Sequence, residues 1–145
     1  MNDVVINKVQ SLQRCVRRAR EEYHADPVGF ATNFTRQDAA LLNVLRACET
    51  TIDLANHIIR FARLGVPTSS AESFRLLQAE GVIGTRMSER LQRMVGFRNM
   101  VIHQYTQVDI SIVEAVIVSD LDELLAFADR VLEHTGGHFG APPLP

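Results

Sequence analysis

The sequence predicts an all-α fold: an up-and-down antiparallel bundle of four to five helices, in one domain over residues 1–135. Three observations predict it. Apolar residues recur at spacings of three and four through successive segments, the period of helices that bury one face. Capping residues and glycine or proline breaks separate those segments. The chain has 145 residues with 46% hydrophobic content, enough for one core and too little for two.

The first helix is expected from about Asp3 to His24, where Val5, Val9, Leu12, Val16, Ala19 and Tyr23 fall on one face before Pro27 and Gly29 break the pattern. Thr35 followed by Asp38 has the form of a capping box. It opens a long second helix with Leu41, Leu45, Cys48, Ile52, Ala55, Ile59 and Ala62 in one stripe, stopped by Gly65 and Pro67. A shorter third helix fits "SSAESFRLLQAEG", with Ser69 and Glu72 as its box and Gly81 as its stop. The fourth begins near Thr85 and carries "FRNMVIHQY". In the last segment Val108, Ile110 and Ile112 alternate as in a strand. Helical spacing then holds through Val113, Val116, Ile117, Leu121, Leu124, Ala128, Val131 and Leu132, and Asp109 suits an N-cap, so a helix is predicted. The closing "GGHFGAPPLP", residues 136–145, is expected to be a disordered tail.

No run of about 18 apolar residues and no signal-peptide pattern occurs, so a cytoplasmic protein without a membrane segment is expected. Cys15 and Cys48 lack CxxC spacing, which predicts neither a disulfide nor a zinc site. A net charge of −2 excludes the overall basic footprint of many nucleic-acid-binding domains, so any such site must be local. Charge is nonetheless uneven. Residues 60–98 hold seven arginines against three glutamates, and residues 106–135 seven acids against Arg130. This suits either solvated helix faces or pairing with a partner or an anion.

The fourth helix raises the functional question. On a wheel with Arg98 at zero and about 100° per residue, Leu91, Met87, Ile102 and Met94 all fall within about 40° of it. Arg98 thus lies in the middle of an apolar face. A guanidinium stays charged, and burying it unpaired costs several kcal/mol, so it must meet a carboxylate, a phosphate or a water-filled groove. Asp53, Glu49 and Glu114 are the candidate carboxylates. Asn99 and His103 are neighbours four residues apart on the flank. An arginine fork, a histidine that exchanges protons near neutral pH and a tyrosine suit metal-free phosphodiester chemistry, although a single helical histidine is also a common structural residue.

The segment "RNMVIHQY" carries an R-x4-H spacing, Arg98 to His103, followed by Tyr105. With "LANHIIRFARLGVP" at 54–67, "SFRLLQAEGVI" at 73–83 and "LQRMVGFRNMVIHQY" at 91–105, it resembles HEPN domains of the HepT-like branch over nearly the whole chain. That resemblance implies an all-α homodimer and a ribonuclease toxin of a toxin–antitoxin pair. It implies a partner too, an MNT-type nucleotidyltransferase antitoxin that silences the toxin by AMP transfer. Carried over, Arg98 and His103 become the catalytic pair, Asn99 their polar companion and Tyr105 the AMP acceptor.

RNA cleavage by 2′-OH attack needs a base, an acid and positive charge for the phosphorane, and one chain offers one suitable histidine. Two copies of the fourth helix in one groove remove that shortage. No metal or other cofactor is expected. His134 and His138 are read as tail residues and His57 as structural. The run Arg14, Arg17, Arg18 and Arg20 is read as a solvated face first and as RNA backbone contact second. A non-catalytic helical partner or substrate-binding subunit of a nucleotidyltransferase, and a bundle dimer that binds a small anion without turnover, remain as alternative functions.

Overall fold

A computed structural model describes residues 2–136 of the chain; the expected tail beyond Gly136 lies outside them. The helices are α1 (Asn2–His24), α2 (Phe34–Ala62), α3 (Ser70–Ala79), α4 (Thr85–His103), α5 (Ile110–Ala115) and α6 (Leu121–Thr135). A π-helical turn, Val116–Asp120, joins α5 to α6 into one continuous rod. The long last helix predicted from its periodicity therefore exists, with one wide turn that spacing alone does not reveal. Arg20 of α1 fastens that turn, donating from Nε to the Ile117 carbonyl at 3.0 Å and pairing with Asp122 at 2.7 Å.

Of the α1 face predicted from the sequence, Val5, Val9, Leu12, Val16 and Ala19 enter the core and Tyr23 packs partly buried against it. Helix α2 buries more than one stripe. Val44, Ala47, Thr51, Leu54 and Ile58 are buried beside the expected Leu41, Cys48, Ile52, Ala55 and Ile59, because α2 packs against α1, α3, α4 and α6 at once. A helix at the centre of a bundle has no solvent face of ordinary width. Phe127, absent from the predicted core, is fully buried and packs edge-on against Phe74 with centroids 5.7 Å apart. That contact joins α6 to α3.

Two helix ends differ from the expectation. Asn33, not Thr35, caps α2: its side chain accepts from the Arg36 N–H at 3.1 Å, and this leaves Asp38 free for another contact. The same helix ends at Ala62, ahead of Gly65. Arg63 takes the left-handed conformation at φ 55°, and the Leu64 N–H reaches the Ile59 carbonyl at 3.0 Å. Ser69 caps α3 as predicted, and Gly81 at φ 74° ends it, with the Val82 N–H bonded to the Leu77 carbonyl. Glu72 of that box turns to the backbone and hydroxyl of Thr68. Asp109 caps α5, accepting from the Ser111 hydroxyl at 2.7 Å and from its N–H at 2.9 Å, which favours its ionised form and lowers its pKa. No helix among the described residues is long and apolar enough to cross a membrane.

The charge asymmetry is partly spent inside the chain. Arg90 pairs with Glu123 at 3.1 Å, and Asp122 is taken by Arg20. Cys15 and Cys48 are free and buried, and burial pushes the Cys48 thiol up to about 12, leaving it inert as a nucleophile. His57 is partly buried; desolvation, with Arg60 and Lys8 nearby, lowers its pKa and favours the neutral ring. These surroundings agree with a structural histidine.

Candidate active site

Three helices converge on Arg98. From α4 its side chain turns inward, with 17% of it exposed, towards Glu49 on α2 and Ser70 at the start of α3. Nη2 donates to Ser70 Oγ at 3.2 Å and Nη1 to Asn99 Oδ1 at 2.8 Å. The buried Nε lies 2.9 Å from Glu49 Oε1 but makes no aligned hydrogen bond. That contact is coulombic rather than directed. Of the three carboxylates open to Arg98 from the sequence, Glu49 is the one used, while Asp53 lies 3.9 Å from Lys8.

This arrangement answers why an arginine sits on an apolar face. The guanidinium is fixed at three points and still reaches the surface, because the Glu49 carboxylate that neutralises it is half exposed. A half-exposed carboxylate on a flexible stem can be exchanged for another anion, provided the mostly buried guanidinium keeps a counter-charge throughout. Arg98 is thus a pre-oriented cationic fork with an exchangeable counter-ion.

His103 is the last residue of α4 and is exposed. Among the described residues it has neither a hydrogen-bond nor an ion-pair partner. It lies five positions after Arg98, about 7.5 Å of axial rise and roughly 140° around the helix, so the two side chains leave α4 in different directions. One chain does not bring them into contact. Asn99, also exposed, touches Arg98 alone of the pair.

Tyr105 departs from its predicted position. The wheel places it two turns beyond Arg98 on α4, but α4 stops at His103, Gln104 turns at φ −135°, and Tyr105 opens a short 3-10 turn (Tyr105–Gln107). Its hydroxyl donates to Asp38 Oδ1 at 3.0 Å, near the start of α2. Burial and the hydrogen bond to Asp38 raise its pKa, keeping the phenol protonated. Residues 38 and 105 are too far apart in the chain for any local pattern to link them.

At its C-terminal end α4 leaves the core. Val95 and Val101 are buried, whereas Ile102 is 54% exposed and Tyr105 is 47% exposed. The site therefore lies at the edge of an unpaired, partly apolar surface.

Comparison with known proteins gives concordant matches. The profile of the Ribonuclease HepT-like family matches residues 12–131. The mRNA nuclease HepT of Shewanella oneidensis is 41% identical over 131 residues, covering 90% of this chain and 98% of that protein. A rebuilt and re-refined structure of tri-AMPylated Shewanella oneidensis HEPN toxin in complex with MNT antitoxin superposes with a TM-score of 0.85. It is 40% identical and covers 90% of this chain and 98% of that one. A crystal structure of a toxin–antitoxin with AMP-PNP gives the same TM-score at 39% identity and the same coverage.

Proposed function

The chain belongs to the ribonuclease HepT-like family, and on that premise we propose that it is the toxin of a HEPN/MNT-type toxin–antitoxin pair, an endoribonuclease that needs no metal. One observation supports this reading above the rest: Arg98 is pre-oriented at the surface with a displaceable carboxylate at Nε, on the same helix as an unencumbered His103. A phosphate held by Arg98 would share its helix with a proton-transfer group about 7.5 Å further along the axis.

The active unit is a homodimer through the C-terminal end of α4. The exposed Ile102 and Tyr105 give that surface its apolar part, and the divergence of Arg98 and His103 on one helix gives it a chemical reason. Two copies facing one another place the histidine of each near the arginine of the other. A scissile phosphate displaces Glu49 from Arg98. One His103 takes the proton from the 2′-OH as its oxygen attacks phosphorus, and the partner's His103 protonates the departing 5′ oxygen. The two arginines stabilise the charge that develops on the phosphorane. Asn99 holds one arm of the Arg98 fork in place.

Silencing is by AMP transfer to the Tyr105 hydroxyl from an MNT-type nucleotidyltransferase antitoxin.

The test of the catalytic reading is direct. Purified chain incubated with RNA in the presence of a chelator is expected to cleave it and to leave 2′,3′-cyclic phosphate ends. Intact RNA, or cleavage that a chelator abolishes, contradicts the reading.

A further inference from the structure

The basic run on α1 does not behave as one unit. Arg17 lies 3.8 Å from Glu21, Arg18 pairs with Glu21 at 2.7 Å, and Arg20 is held by Asp122 and the Ile117 carbonyl. On the facing part of α2, Arg36 pairs with Glu22. Arg14 and Arg46 are different: both are exposed, and neither guanidinium has a carboxylate or hydrogen-bond partner among the described residues. They line the same groove between α1 and α2, a cavity of about 440 Å³. Two unneutralised guanidinium groups in one concavity repel each other and attract an anion.

The other walls mix apolar and polar groups, Leu45 and Cys15 beside side chains that can meet a nucleic-acid backbone. Ser11 presents a hydroxyl, while Thr50 donates its own to the Arg46 carbonyl at 2.9 Å and keeps an acceptor oxygen. Asn43 gives its amide N–H to the Ala39 carbonyl, leaving its own oxygen as an acceptor. Glu49, whose carboxylate is the ion partner of Arg98, also lines the groove. Groove and candidate catalytic arginine are therefore continuous, with Arg46 one turn of α2 away from Glu49.

We propose that this groove binds the backbone phosphates of single-stranded RNA flanking the scissile bond, with Arg14 and Arg46 as its cationic contacts. The inference rests on the ribonuclease reading of Arg98 and His103. When the scissile phosphate replaces Glu49 at Arg98, the neighbouring stretch of backbone runs along the α1–α2 seam past Arg46 to Arg14. Arginine is suited to this task because its fork takes phosphate oxygens in pairs. Contacts to phosphate carry no base information, so the groove strengthens binding of all sequences alike.

The experiment is a fluorescence-anisotropy titration of a labelled single-stranded oligoribonucleotide at several salt concentrations. It compares the full-length His103→Ala protein, which holds RNA without cutting it, with the same protein carrying Arg14→Ala and Arg46→Ala. Losing two phosphate contacts is expected to weaken binding about tenfold at low salt and to flatten the plot of log affinity against log salt by roughly 1.4. Sedimentation of both proteins accompanies the titration. Unchanged affinity and slope, while wild-type protein still cleaves RNA, overturns the groove and leaves the ribonuclease reading intact. A wild-type protein that neither binds nor cleaves RNA removes both. Affinity that falls only because the double variant dissociates into monomers shows the seam to be an interface between copies and also overturns the proposal.

Discussion

Replacing His103 with alanine is expected to lower the rate of RNA cleavage by about a hundredfold or more, the usual contribution of a positioned acid–base group. The fold should be indifferent to the change. His103 is exposed at the end of α4, and no described residue bonds to it, so its removal leaves neither a cavity nor an unpaired buried group. The expected signature is a large loss of kcat with an unaltered circular-dichroism spectrum and an unaltered melting midpoint. Arg98→Ala is less clean, because it also releases Ser70 and Glu49 from a contact between three helices. For that reason the histidine, not the arginine, is the informative variant. A His103→Ala protein that cuts RNA as fast as wild type removes His103 from the mechanism.

Tyr105→Phe is expected to abolish silencing: co-expressed with its nucleotidyltransferase, the variant should gain no adenylyl mass and should keep cleaving RNA, whereas wild type gains mass and stops. The structure adds a physical reason why modification changes the site. In the unmodified chain the Tyr105 hydroxyl donates to Asp38. AMP on that oxygen removes the donated proton and sets a phosphodiester anion against a carboxylate, so the modified side chain has to leave Asp38. Asp38 and Glu49 are eleven residues apart on α2, about 16 Å along its axis, so a phosphate can approach Arg98 only after that departure. Phenylalanine loses the same hydrogen bond without gaining charge. Because that bond is partly exposed, the cost in stability should stay near 1 kcal/mol. Intact mass spectrometry decides the matter: an equal mass gain on Tyr105→Phe, or silencing of wild type without any gain, contradicts this assignment.

How far the sequence carried these conclusions depends on the range of the interaction concerned. The α1 stripe, the Ser69 cap and the Gly81 stop are set by residues a few positions apart, and periodicity and capping rules resolve them. The π-helical turn at Val116–Asp120 escaped because Ile117, Leu121 and Leu124 keep helical spacings of four and three across it. The start of α2 was misplaced for a different reason. Thr35 and Asp38 satisfy the box spacing, but Asn33 is the stronger cap and lies two residues earlier. At the site, the need of Arg98 for an anion was legible from its place on the wheel, and Glu49 was among the carboxylates considered. Which one it meets is a matter of helix packing, as are the Ser70 contact and the bond between Asp38 and Tyr105. Extending the α4 wheel to Tyr105 failed because the helix ends two residues earlier.

The central claim is that one groove, built from two copies of α4, needs the histidine of each. Wild-type and His103→Ala chains co-expressed in equal amounts and assembled at random test it most directly. If both histidines act on one phosphate, only dimers of two wild-type chains cut RNA, and the mixture should retain about one quarter of the activity of the same amount of wild-type protein. Retention of about one half, the value for sites that work independently in each chain, contradicts the shared groove.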